Sequence, residues 1–234
     1  EDPFTLHPSQ LRLRRDYVAD LMRIGLPAGL QGMVFSVSNV VIQSAINSFG
    51  AACIAGNTAA QNIDFISYCV INAFTQAALT FTSQNYGAGK PDRCKKVWKT
   101  AMLIGIGADI VLVALLMLFR GTLIRLFTTD PEVTKYAMIR LWYAFAFHFL
   151  VGTYEITGGA LRGINRSLVP AIICVVGTCG FRLLYVLVFF PYFRAPQNLL
   201  LVYPISWTIT GTVMITAFII IRKKVYAKLL AATA

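Results

Sequence analysis

Charge is scarce in this chain, and negative charge scarcer still. Only 13% of the 234 residues are Asp, Glu, Lys or Arg, against about 25% in an ordinary soluble domain. Ten acids face twenty-one bases, 57% of residues are hydrophobic and mean hydropathy is +0.65. These values exclude an ordinary soluble protein. There are two histidines and five cysteines, and none stands at metal-ligand or disulfide-framework spacing. Cys53, Cys69, Cys94, Cys174 and Cys179 therefore read as small packing or loop residues. Asp109, His148 and Glu155 are too scattered to argue for an intramembrane enzyme, so no catalytic residue, metal or cofactor is expected. An initiator Met and a signal-peptide pattern are also missing. Residues 1–5 read as an expression-vector remnant, and the abrupt start at Leu6 suggests a piece cut from something longer.

What the chain does have is six long apolar runs: 26–49, 59–84, 97–119, 133–161, 168–190 and 199–221. A helix of about 20 apolar residues crosses a hydrocarbon core of about 30 Å. The runs therefore predict an all-α membrane protein, a six-helix lobe over 25–221. An amphipathic lead-in over 6–24 precedes it and a basic tail over 222–234 follows. Pro27, after Gly25 and Leu26, is expected to redirect the chain or begin a new helix. Asp130-Pro131-Glu132 reads as a helix start, and Ser167 as a cap for the fifth helix.

The bases crowd into alternate gaps. Arg12, Arg14, Arg15 and Arg23 precede the first run, and Lys90, Arg93, Lys95, Lys96 and Lys99 follow the second. Arg162 and Arg166 follow the fourth; Arg222, Lys223, Lys224 and Lys228 follow the sixth. Basic loops stay on the cytoplasmic side, so both termini are expected there, in a multi-pass protein of the cell membrane. A net charge of +11 could suggest nucleic acid, but these bases flank apolar spans and form no single basic face. Anionic lipid headgroups are the expected neighbours, and nucleic acid is not. Fifteen bases fall on the cytoplasmic side and five in or near outer gaps, Arg140 counted with the latter. Arg182 alone is left at mid-membrane.

Polar residues inside the spans form two stripes. Asn39, Gln43 and Asn47 recur every four residues on the first helix, and Gln61, Asp64, Tyr68, Asn72 and Thr75 every three or four on the second. Interhelical hydrogen bonds are one reading and the wall of a water-accessible cavity is the other; stripes this long favour the cavity. Asp109 and Arg182 both fall roughly 20 Å deep at 1.5 Å per residue, with His148 at a similar depth and Glu155 nearer the cytoplasm. An Arg at mid-membrane calls for a partner. Asp109 matches it best in depth and Glu155 second. Two readings stay open for Asp109, His148, Glu155 and Arg182: a packing ion pair, or a protonatable site coupling ion movement to conformational change.

Gly25-Leu26-Pro27 with Gln31 and Ser38-Asn39, the run Thr80 to Gly89 (TFTSQNYGAG) and Gly158-Gly159-Ala160-Leu161-Arg162-Gly163 resemble the multidrug and toxic compound extrusion (MATE) family. The resemblance is to its second six-helix lobe, over nearly the whole chain. It implies half of a proton- or sodium-coupled antiporter that exports organic cations or amphipathic drugs by alternating access. The half would be inactive without its N-terminal lobe, and Arg162 would be the family's cytoplasmic-turn Arg. Sodium-coupled members carry acids where this chain has Phe35 and Val151, which argues against a sodium site in this lobe. Two alternatives are a self-contained six-helix protein that dimerises into a carrier or channel, and a lipid-linked substrate flippase of the same superfamily. A cavity lined mainly by Arg and Lys would favour the flippase.

Overall fold

The structure, a computed structural model, describes residues 15–233, without the side chains of Asp16, Tyr17, Asp20, Ile24 and 228–233. The expected remnant at 1–5, the first nine residues of the lead-in with Arg12 and Arg14, and the side chain of Lys228 lie outside the described residues. Those residues form helices and turns with no strand. In chain order the helices are α1 Arg15–Asn47, α2 Ala51–Gly87, α3 Pro91–Leu118, α4 Arg120–Arg125, α5 Pro131–Tyr143, α6 Phe149–Gly163, α7 Leu168–Cys174, α8 Phe181–Leu184, α9 Pro196–Leu200 and α10 Val202–Thr233. Five stretches are long and apolar enough to cross a membrane: Leu21–Asn47, Ala51–Gly87, Pro91–Leu118, Leu168–Tyr192 and Pro196–Ala227. α5 and α6 together form a sixth, interrupted path.

α1 runs through Pro27 without a break, contrary to the expected redirection. Proline leaves the carbonyl four residues back without its helical donor, here that of Arg23. The Ser167 hydroxyl donates to that carbonyl at 3.2 Å. Ser167 thus mends α1 and makes no side-chain cap on its own helix. By contrast, Asp130 caps α5 as its residue type requires: Oδ1 accepts from the Glu132 and Val133 amides at 2.7 and 3.3 Å, with Pro131 in the first helical position.

The run at 133–161 is two helices rather than one. A 3-10 turn at Phe145–Phe147 separates α5 from α6. Trp142, Tyr143, Phe145, Phe147, His148 and Phe149 crowd this stretch, and aromatic and imidazole side chains are mediocre helix formers. In an unbroken helix Arg140 and His148, eight residues apart, would be offset by about 80°. The break lets both reach the same carboxylate on α2.

α2 is the central rod and packs against α6, α3 and α5. Its closest approach to α6 depends on glycine. A Cβ on Gly159 would lie 2.6 Å from the Thr75 carbonyl oxygen, and one on Gly163 2.8 Å from the Thr82 Cβ, so any side chain would push the helices apart. α1 leans on α7 and the segment after it, leaving a gap between the polar faces of α1 and α2. In the stretch Leu168–Tyr192, π-helical segments Val175–Gly180 and Tyr185–Phe189 enclose the short α8. Wide turns of this kind often mark functional positions; here they bracket Arg182.

Candidate functional site

The gap between α1 and α2 is the mouth of a cavity of about 900 Å³. From α1 come Gln31, Phe35, Asn39 and Gln43, and from α2 Gln61, Asp64, Tyr68, Asn72 and Thr75. The two stripes therefore face a common space. Asn47 departs from its stripe: it is exposed, is absent from the cavity wall and accepts the Gln43 side-chain amide at 2.9 Å. One turn further along the helix, its side chain has passed the end of the cavity. The floor is built by Arg140, His148, Val151, Tyr154, Glu155 and Arg162, with Arg182, Tyr203 and Trp207 from the last two rods.

Buried charge is concentrated on this floor. Arg140, 4% exposed, donates to Asp64 Oδ2 and to the Asn57 amide oxygen, each at 2.9 Å. His148 Nδ1 shares a hydrogen bond with Asp109 Oδ2 at 3.0 Å, while its Nε2 stands 3.9 Å from Asp64 Oδ1. One imidazole thus sits between two carboxylates. Asp109 has no solvent exposure and touches the cavity only through His148. The second oxygens of Asp64 and Asp109 and the Nε of Arg140 have no hydrogen-bond partner among the described residues. Unsatisfied buried polar atoms are costly.

The expected pairing of Arg182 with Asp109 or Glu155 is not what the structure contains. Asp109 is taken by His148, and Glu155 lies on the cavity wall without an ion pair among the described residues. Arg182 instead donates from Nε to the Ser206 hydroxyl at 3.2 Å and from Nη1 to the Asn39 amide oxygen at 3.5 Å. Its guanidinium lies 4.5 Å from the Tyr203 ring centroid. Equal depth was a poor guide to contact. α3, which carries Asp109, packs on α2, α6 and the 3-10 turn, whereas α8 packs on α1 and α10.

Arg140 is the functional candidate that charge counting assigned wrongly to an outer gap. It lies inside the run 133–161, and that position is the signal that could have found it. Tyr203 is 7% exposed and has both Arg140 and Arg182 over its ring, at 5.1 and 4.5 Å. Arg162 donates to Gln31 at 3.3 Å, tying the end of α6 to α1.

A membrane-embedded helical lobe enclosing a polar, charged chamber between two diverging helices is built as a membrane transporter is built. The MatE family model matches residues 27–188, and the chain belongs to the MATE family of multi-pass membrane transporters. A probable multidrug resistance protein NorM of Thermotoga maritima is 24% identical over 175 residues, 75% of this chain and 38% of the relative. A FAD transporter of Shewanella oneidensis is 25% identical over 202 residues, 86% of this chain and 44% of that protein. Among solved structures, an outward-facing multidrug resistance MATE family transporter superposes with a TM-score of 0.82 at 18% identity. The match covers 94% of this chain and 50% of that one. The chain thus spans about half the length of the proteins it matches.

Proposed function

We propose that this chain is one six-helix lobe of a proton-coupled antiporter that exports amphipathic organic compounds, with its basic gaps and both ends on the cytoplasmic side. Its cavity is half of a substrate chamber, and a preceding six-helix lobe supplies the facing wall. The observation that carries this reading is the buried series Arg140, Asp64, His148 and Asp109 opening onto the cavity.

The proton's effect follows from the distances. With a single proton on Nδ1, His148 donates to Asp109 and presents a bare Nε2 to Asp64. A second proton on Nε2 makes a cation that the unpartnered Oδ1 of Asp64 attracts across a gap of 3.9 Å, while Oδ2 stays with Arg140. Closing that gap moves α2 relative to the α5–α6 break, and α2 carries one wall of the cavity. Proton loading and cavity shape are coupled through one carboxylate. Phe35 and Val151 line the same cavity at the positions where a sodium site would want acids, which supports the proton over sodium.

The test uses the gene product at its full encoded length, in proteoliposomes with an imposed pH gradient and a panel of fluorescent amphipathic compounds. Transport is expected to collapse with a protonophore and to be indifferent to a sodium gradient. Transport driven by sodium alone contradicts the coupling. Export of undiminished rate by the isolated 234-residue chain contradicts its standing as half of a transporter.

A further inference from the structure

Arg182 takes no part in the proton series, and its surroundings are unusual for a buried cation. It is 2% exposed, and all its contacts are neutral: the Ser206 hydroxyl, the Asn39 amide oxygen, and the rings of Tyr203 and Phe35, at 4.5 and 5.8 Å from the guanidinium. No carboxylate lies within ion-pairing distance among the described residues. Aromatic faces and neutral acceptors compensate a guanidinium only in part at this depth. The guanidinium also has more N–H donors than these contacts occupy, and it lines the cavity. The balance of the wall has the same sign. Arg140, Arg162 and Arg182 face Asp64 and Glu155, and Asp64 is committed to Arg140.

We infer that Arg182, with Asn39, Tyr203 and Phe35, forms a binding site for the anionic group of an aromatic organic solute: a carboxylate, sulfonate or phosphate carried on a flat ring system. The anion takes the free edge of the guanidinium, where planar N–H donors match two oxygens at once. The ring system has Phe35, Tyr68, Tyr203 and Trp207 to stack on in the same cavity. This assignment rests on the reading of the cavity as a substrate chamber, and it reverses the charge of substrate expected from family resemblance.

Equilibrium binding separates the site from the transport cycle because it needs no gradient. The probes are naphthalenesulfonate and naphthyl-trimethylammonium, titrated by calorimetry into the full-length gene product in neutral detergent. The sulfonate is expected to bind at least about tenfold more tightly than the ammonium. Arg182→Gln should remove that preference. Asn39→Asp puts a carboxylate beside the guanidinium on a cavity-facing position of α1 and asks little of the fold, so it keeps the test open if R182Q does not fold; it should abolish sulfonate binding as well. Tighter binding of the ammonium overturns the assignment, as does sulfonate binding unaffected by N39D. A site filled by added phosphatidylglycerol that takes no naphthalenesulfonate overturns it too, in favour of a lipid headgroup. Should sulfonate binding hold while no gradient drives transport, the coupling scheme fails and the anion site stands.

Discussion

The cavity holds its cations in two different ways, and the contrast divides the labour within it. Around Asp64 the ionisable groups find partners among themselves: Arg140 pairs with a carboxylate at 2.9 Å, and Asp109 hydrogen-bonds an imidazole at 3.0 Å. Around Arg182 the partners among the described residues are neutral acceptors and rings. A series whose members face one another at hydrogen-bond or ion-pair distance can pass a proton among them without a ligand. A cation left among neutral groups is completed by something that arrives. Tyr203, under both Arg140 and Arg182, is where a change in one region would be felt in the other.

The sharpest way to break this contrast is to remove the carboxylate. Asp64→Ala strands Arg140 in the bundle, and unfolding in mixed micelles should show a loss of about 3–5 kcal/mol. A loss under about 1 kcal/mol would mean that the pair is not the structural clamp described. His148→Ala leaves Asp109 without its partner at zero exposure, and should cost about 1–3 kcal/mol in the same measurement. Asp130→Ala removes a helix cap far from the chemistry. It should cost about 1 kcal/mol and leave naphthalenesulfonate affinity unchanged. Arg182→Gln should do the reverse: affinity falls, while stability is unchanged or rises by up to about 1 kcal/mol, because a neutral amide replaces a buried cation that orphans no carboxylate.

Much of this cavity could be read before any coordinates. The spacing of Asn39 and Gln43, and of Asp64, Tyr68 and Asn72, put each group on one helix face, and those faces meet across the cavity. Asn47 kept the spacing and lost the environment, because periodicity says nothing about where a cavity ends. The interruption between α5 and α6 escaped because hydropathy averages over it; a run of aromatics is as apolar bent as straight. Arg140 was misassigned by a count that attached each base to its nearest gap. Arg182 stands out among the bases from position alone, but depth, which ranks its candidate partners, leaves open which helices touch. The Ser167 contact to the Arg23 carbonyl links residues too distant in sequence for capping rules to connect.

The division of labour itself is open to one direct measurement. Asp109→Asn keeps the shape of the acid and removes its charge, so it should leave naphthalenesulfonate binding unchanged while lowering pH-driven flux at least about tenfold, a barrier change of about 1.4 kcal/mol. Both are measured on one preparation of the full-length gene product, in detergent for binding and in proteoliposomes for flux. Flux at the unsubstituted rate, or binding and flux that fall together in proportion, would contradict the separation of a proton-handling region from an anion-binding one.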